Sequence, residues 1–395
     1  MKRKLFYFGL EPLKARYTYQ LCKEWMPKAF EPYSKRLDFV EVEGEMVDQE
    51  IKVGAVLDAV GRGVYSLSQC NQFLKMINEG KVKDNDIIFL QDYWTPGLDA
   101  IWYALDLYGI NVKVYAMLHA QSVDEYDFTY PMRDWMRQYE LGLDKRMSGI
   151  FVGSTIHKQQ LRDAGFNAPI HVVSLPIHKD ATLTKLPAGN YGKKKVIVYS
   201  SRLDKEKNPF FMMKVAETFL SYRPDYEWHV TTSGKEFRSM TPGVIDELKA
   251  LAKRQPRFKL LSGLTKQEYY TELATCKIQF NSSLQDYVSW TAIEATAFGS
   301  DIVYPFFRSF PEFITPKRMY KAFDVKDALE TIEDAIEAPM AHPHIVDRSD
   351  LGRRTEAFIV ANDFDKELNV WHEKEYIEAL IAGPAYNNQL TLDFE

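Results

Sequence analysis

Residues 277–305 narrow the possible folds more than any other part of this 395-residue chain. A short apolar run, KIQFN (277–281), reads as a strand. A polar loop follows, and then Ala292, Ile293, Ala295, Ala297 and Phe298 form a small apolar helix that Gly299 ends. A second strand, DIVYP (301–305), comes next. Strand, loop, helix, strand is one unit of a parallel α/β sheet. Ligands of such sheets sit at the carboxyl ends of the strands. The loop therefore puts one acid, Asp286, at a ligand position, and a second acid, Glu294, lies eight residues on. Carboxylates there suit the hydroxyls of a sugar or ribose. The start of the helix, Ser289, Trp290 and Thr291, is a candidate for an anionic part of the ligand, because its N–H groups lack partners. Taken alone, two acids at this spacing are more often a solvated loop acid and a helix-face Glu.

The same alternation runs along the whole chain. KLFYFG (4–9) reads as a buried first strand, followed by a helix to about Trp25. LDFVEVEGE alternates as a second strand. Residues 55–63 end in a Gly-Arg-Gly turn, and 66–80 form a helix stopped by Gly80. DIIFLQD (86–92), VKVYAMLHA (112–120) and GIFVGST (149–155) are further strands, and LDAIWYALDLYG is an apolar helix. This pattern predicts a parallel sheet with right-handed crossovers. Pro176, Pro187, Gly189 and Gly192 mark a linker. Beyond it lie strands at 194–203 and 226–234 and in FKLLSG, with helices between them and an amphipathic helix in VKDALETIEDAIEA. The expected organisation is a first domain at 1–178, a linker at 179–192 and a second domain at 193–365. A helix at 366–382 returns to the first domain, and a tail fills 383–395.

Charge and cysteine usage restrict the function classes. The net charge of −5 gives no overall basic field for nucleic acid. Residues 1–36 nevertheless hold nine Lys/Arg against three acids, a net of +6, and residues 37–60 hold seven acids against Lys52, a net of −6. The basic stretch is either a binding face or one solvated side of a helix. Cys22, Cys70 and Cys276 show no metal-ligand spacing, which favours a reducing compartment and no structural zinc. No apolar run approaches the ~18–20 residues of a membrane span. A soluble protein of the cytoplasm is expected.

The run D-Y-V-S-W-T-A-I-E-A-T-A-F-G (286–299) resembles the Glu-x7-Glu signature of retaining GT-B glycosyltransferases of the family 4 type. Asp286 stands where the first Glu is usual, and the loop glycine is missing. YSSRLDKEKNPFF is similar to the G-R-L-x-x-x-K-G/N motif of the same family, with Ser201 in place of its glycine. The resemblance implies an α/β fold of two Rossmann-like domains facing a cleft, and a nucleoside-diphosphate sugar, UDP-linked by preference, as donor. It assigns the diphosphate to Arg202 and Lys207, the ribose to Glu294 and the sugar hydroxyls to Asp286. Gly263 and Leu264 are placed near the nucleobase, and His119, at a strand end, near the donor sugar. His119 read alone is more often a structural histidine. No essential metal is implied.

Lys14, Arg16 and Tyr17 fall where the family's first loop faces the cleft. Asp124, Glu125 and Asp127 are candidate acceptor contacts or loop solvation, and Trp94 a stacking surface or core residue. The first half is similar to glycosyltransferases of large tailed phages. That resemblance makes a hydroxymethylated base of phage DNA a candidate acceptor, with the host cytoplasm as the location. A glycan or other small acceptor, an epimerase on the same fold and a silent binding scaffold are the alternatives.

Overall fold

Two six-stranded sheets, parallel throughout, make up the computed structural model of the chain. It describes residues 2–13, 17–47, 59–119, 122–127, 129–186, 191–342, 345 and 358. The expected returning helix at 366–382, the tail, Lys14 and Arg16 lie outside the described residues.

The first sheet contains β1 (Arg3–Phe8), β2 (Leu37–Val42), β3 (Ile87–Leu90), β4 (Lys113–Leu118), β5 (Gly149–Val152) and β6 (Ile170–Val172). Its order is β2-β1-β3-β4-β5-β6. The second contains β7 (Val196–Tyr199), β8 (Glu227–Thr231), β9 (Phe258–Leu261), β10 (Ile278–Phe280), β11 (Asp301–Phe306) and β12 (Met319–Lys321), in the order β12-β11-β10-β7-β8-β9. Central strands buried on both faces by helices tend to be apolar throughout, although β10 (IQF) keeps a buried Gln279. β3 (IIFL) and β7 (VIVY) are buried throughout.

In each sheet the chain steps outward on one side and then returns to the other side of its first strand. The reversal falls between β1 and β3 in the first sheet and between β7 and β10 in the second. Loops diverge there and leave a crevice at the carboxyl ends of the strands. Each sheet has its own core. Phe6, Phe73, Ile88 and Ile101 belong to the first, and Ile197, Trp228, Phe280 and Ile332 to the second. Both cores lie in one compact unit of residues 1–351. Among the described residues no helix is long and apolar enough to cross a membrane.

Several elements differ from the sequence reading. Gly61, Arg62 and Gly63 form no turn, because a single helix, Ala59–Asn78, runs through them. Glycine in a helix costs about 1 kcal/mol relative to alanine. The tertiary ties of Arg62 offset this: its guanidinium reaches Glu11 at 3.2 Å, Asp92 at 3.6 Å and the Trp94 carbonyl at 3.0 Å. The first helical run starts at Tyr17 and continues past Trp25, through Pro27, to Tyr33. The helix Arg133–Asp144 and strand β12 were not anticipated. A short helix, Lys179–Leu183, lies within the expected linker.

The edge of the second sheet is fixed by a buried charge cluster. Asp301, at the start of β11, accepts from Arg318 Nε at 2.9 Å, His342 Nε2 at 2.8 Å and the Met340 N–H at 2.8 Å. Burial pushes the Asp301 carboxyl up, but the hydrogen bonds from His342 and Arg318 outweigh it and hold it below the usual range. Removing one partner of such a cluster leaves a buried charge unpaired. Asp301→Asn is therefore expected to cost about 3 kcal/mol in urea unfolding at neutral pH. A carboxyl lowered in the folded state stabilises above its unfolded pKa. The gap between variant and wild type should thus shrink as pH falls below the ordinary carboxylate range, and a gap independent of pH would refute this account.

Candidate active site

The reversal between β7 and β10 brings two loops together. The first, residues 200–208, ends in a 3-10 turn, Lys205–Lys207, and then in Asn208 at φ +49°. Asn tolerates this left-handed conformation, and Pro209 then opens the helix Pro209–Tyr222. The reversal of the backbone turns the Lys207 side chain inward, where it is 7% exposed. The Lys207 carbonyl accepts from Tyr199 Oη at 3.1 Å and from Ser282 Oγ at 2.8 Å. Leu284 N–H donates to the Glu206 carbonyl at 2.8 Å. The loops leaving β7 and β10 are thus joined through backbone as well as side chains.

Their side chains meet at Lys207. Its Nζ lies 2.6 Å from Asp286 Oδ1, 3.3 Å from Ser283 Oγ and 3.4 Å from Gln285 Oε1. Arg202, from the same loop as Lys207, is more open. It turns to Glu206 at 2.7 Å and Asp204 at 3.9 Å rather than to Asp286. The Glu206 oxygen that it approaches has no aligned hydrogen bond, so charge rather than a fork geometry holds the guanidinium there.

Glu294 has a separate set of partners. It is buried on the helix Trp290–Ala297 and accepts from Lys266 Nζ at 2.9 Å, Tyr269 Oη at 2.8 Å and Tyr270 Oη at 3.2 Å. Burial, and then the charge of Glu294, push both phenols well up, so they remain donors. Among the described residues Asp286 and Glu294 therefore share no partner, although they lie on one loop and helix. Ser289 caps this helix by accepting from the Ala292 N–H at 3.3 Å, and it pairs with Tyr304 Oη at 3.0 Å. Thr291 Oγ1 donates to the Ser200 carbonyl at 3.3 Å, tying the helix start to the β7 loop. Trp290 packs on the first half of the chain, its ring 5.0 Å from Tyr17 and 5.9 Å from Trp25.

Gly263 and Leu264 leave β9 with their N–H groups engaged, by the Gly234 carbonyl at 2.6 Å and the Thr232 carbonyl at 3.2 Å. Gly263 adopts φ +71°, which suits glycine. Any backbone contact from these two residues to a ligand runs through their carbonyls. His119 leaves β4 with Nε2 3.1 Å from the Gln91 carbonyl.

The loop after β4 meets the second sheet directly. Asp124 is fully buried against Arg308 at 2.6 Å, and Glu125 lies 3.1 Å from the same guanidinium. Asp127 accepts from Thr129 and lies 3.4 Å from Gln285 Nε2. Burial pushes the Asp127 carboxyl up, and the charges of Asp124 and Asp92 add to this. Tyr287 stacks on His157 at 3.9 Å and donates to Gln160 at 2.5 Å. Glu312 accepts from the N–H groups of Thr155 and Ile156 at 2.7 and 3.0 Å, at the start of the helix Thr155–Asp163.

Lys266, Tyr269, Tyr270, Gln285 and Arg308 were missed in the sequence. The first three share one helix face at i, i+3 and i+4, and that spacing in KQEYYTEL was a readable signal. Arg308 had none.

No protein-family model and no curated protein sequence matches the chain. Solved structures do match. A UDP-forming α,α-trehalose-phosphate synthase from Burkholderia xenovorans superposes with a TM-score of 0.63 at 14% identity, covering 92% of this chain and 99% of its own. A Listeria monocytogenes protein described as a UDP-N-acetylglucosamine 2-epimerase gives 0.58 at 15%, covering 91% and 96%. S. aureus TarM, in complex with fondaparinux, α-GlcNAc-glycerol and UDP, gives 0.50 at 14%. The match covers 80% of this chain but only 59% of TarM. The fold is GT-B. Identities this low establish the architecture only. In this GT-B chain the Lys207–Asp286 pair belongs to the second sheet, and the loop after β4 carries the first sheet's contribution.

Glu294→Gln keeps the shape of the side chain but removes the charge that three donors surround. The loss should be about 1.5–3 kcal/mol in chemical unfolding, the range for hydrogen bonds to a charged group. An unchanged midpoint would mean that the Lys266–Tyr269–Tyr270 cluster holds its geometry without the carboxylate.

Proposed function

We propose that this GT-B protein transfers a sugar, with retention of configuration, from a nucleoside-diphosphate sugar to an acceptor hydroxyl. The observation that carries this reading is the meeting of Lys207 and Asp286 where the loops of β7 and β10 diverge, with Arg202 on the same loop as Lys207. Arg202 offers a fork and Lys207 a point charge for phosphate oxygens. As the nucleoside diphosphate departs, charge builds on its outer phosphate, and fixed cations lower that barrier. Asp286 takes the sugar hydroxyls.

A carboxylate has about four acceptor positions. Lys266, Tyr269 and Tyr270 occupy three on Glu294, and the fourth takes a ribose hydroxyl. Asp286 is paired with Lys207 rather than poised as a nucleophile. Transfer on one face follows: the acceptor oxygen bonds to the anomeric carbon as the bond to phosphate breaks, and the acceptor proton passes to the departing phosphate. His119 sits on the donor-sugar side of the cleft in this reading. The TarM complex with UDP and the UDP-forming synthase support uridine as the first nucleotide to test.

The first sheet binds the acceptor. The net +6 of residues 1–36 favours a hydroxymethylated DNA base, and extraction of that base from the duplex would be required. Lys23, from this stretch, is paired with Glu41 and Glu43, which favours a glycan. Incubation with a panel of labelled nucleotide sugars, with plain DNA, hydroxymethylated DNA and oligosaccharides as acceptors, decides between them. Label on one acceptor supports transfer. Free isomerised sugar would point to an epimerase, and the absence of any nucleotide binding to a scaffold. Arg202→Ala should lower transfer about 10²-fold, as loss of a transition-state charge contact does. Wild-type rates in that variant would remove Arg202 from the mechanism.

A further inference from the structure

We propose that Gln285 is a stand-in for the donor's phosphate oxygen on Lys207, and so a positioning residue that links donor binding to the contact between the two sheets. The inference rests on the donor reading above. An ammonium has three N–H donors. On Lys207 they face three protein oxygens: Asp286 Oδ1 at 2.6 Å, Ser283 Oγ at 3.3 Å and Gln285 Oε1 at 3.4 Å. The side chain is 7% exposed, so little water is at hand to exchange. An arriving phosphate oxygen must displace one of the three.

The chemistry of the partners ranks them. Asp286 is charged and closest, and charge-assisted bonds are the strong ones. Ser283 Oγ is built into the turn, since it also accepts from the Gln285 N–H at 3.3 Å and the Asp286 N–H at 3.5 Å. Gln285 Oε1 is neutral, most distant and carried on a flexible, half-buried side chain. A charged phosphate oxygen outcompetes it.

The same amide faces the first sheet. Its Nε2 donates to Asp127 Oδ2 at 3.4 Å, in the loop after β4. One amide thus accepts from the second sheet's cation and donates to the first sheet's acid. Glutamate has no hydrogen to offer Asp127 and would add charge between two carboxylates. When phosphate takes Lys207, the amide loses one of its two anchors, and its hold on Asp127 changes with it. Donor binding is thereby felt by the first sheet without a ligand contact there.

The test is calorimetric titration of UDP, GDP and ADP into the full chain, as wild type, Gln285→Ala, Gln285→Met and Gln285→Glu, with Arg202→Ala as reference. Removing the stand-in should tighten binding of the preferred nucleotide about three- to tenfold in the Ala and Met variants, since one modest hydrogen bond no longer has to be broken. Gln285→Glu should weaken binding by about tenfold or more, because a carboxylate on Lys207 is harder to displace. Transfer assays should show a lower donor KM together with a lower kcat in Gln285→Met, a split that a merely structural residue does not produce. Equal or weaker binding in both the Ala and Met variants overturns the inference. It leaves the donor reading in place if wild type binds and Arg202→Ala binds less. Failure of wild type to bind any of the three nucleotides overturns both.

Discussion

The contact between Lys207 and Asp286 is the constraint on which the carboxyl ends of β7 and β10 depend. It joins loops that leave neighbouring strands and diverge, and it adds an ion pair to the hydrogen bonds that Ser282, Ser283 and Gln285 make between them. The pair is largely desolvated, with side-chain exposures of 7% and 26%, and each member therefore needs the other. The left-handed Asn208 aims the lysine, the Tyr199 hydroxyl holds its carbonyl, and Ser283 and Gln285 complete its shell. Two nearby residues and two from a loop 76 and 78 positions downstream thus set the direction of one ammonium.

Contacts between the two sheets follow from the same loops. Residues that flank Asp286 reach the first sheet: Gln285 meets Asp127, and Tyr287 lies on His157. A little further on, Arg308 meets Asp124 and Glu125, and Glu312 sits at the start of the helix Thr155–Asp163, where unpaired N–H groups and the dipole favour an anion. The acids after β4, readable as acceptor contacts, are instead largely engaged by the other half of the chain. Asp124 is fully buried in an ion pair.

Much of the architecture was legible because parallel strands buried on both faces write themselves as unbroken apolar runs. IIFL and VIVY are of this kind. The helix Ala59–Asn78 was not legible at its start, because Gly61 and Gly63 signal a turn and only the distant partners of Arg62 override them. The strand β12 has three residues, too few for a period. At the candidate site, the residue types and spacings of Lys207, Asp286 and Glu294 could be read, but their partners could not. Glu294 looked like an open acceptor beside Asp286, whereas Lys266, Tyr269 and Tyr270 surround it from a helix some 25 residues upstream. The spacing in KQEYYTEL marks a shared helix face, but which carboxylate that face meets is set by the packing of the helix Lys266–Thr275 against its neighbour.

The packing of Trp290 has a practical corollary. Its indole lies on the helix Trp290–Ala297 and touches Tyr17 and Trp25 from the first half of the chain. Indole emission responds to ring neighbours and to water. Any change in how far the halves stand apart at this helix would therefore alter one of the chain's seven indoles, and no dye has to be attached to read it.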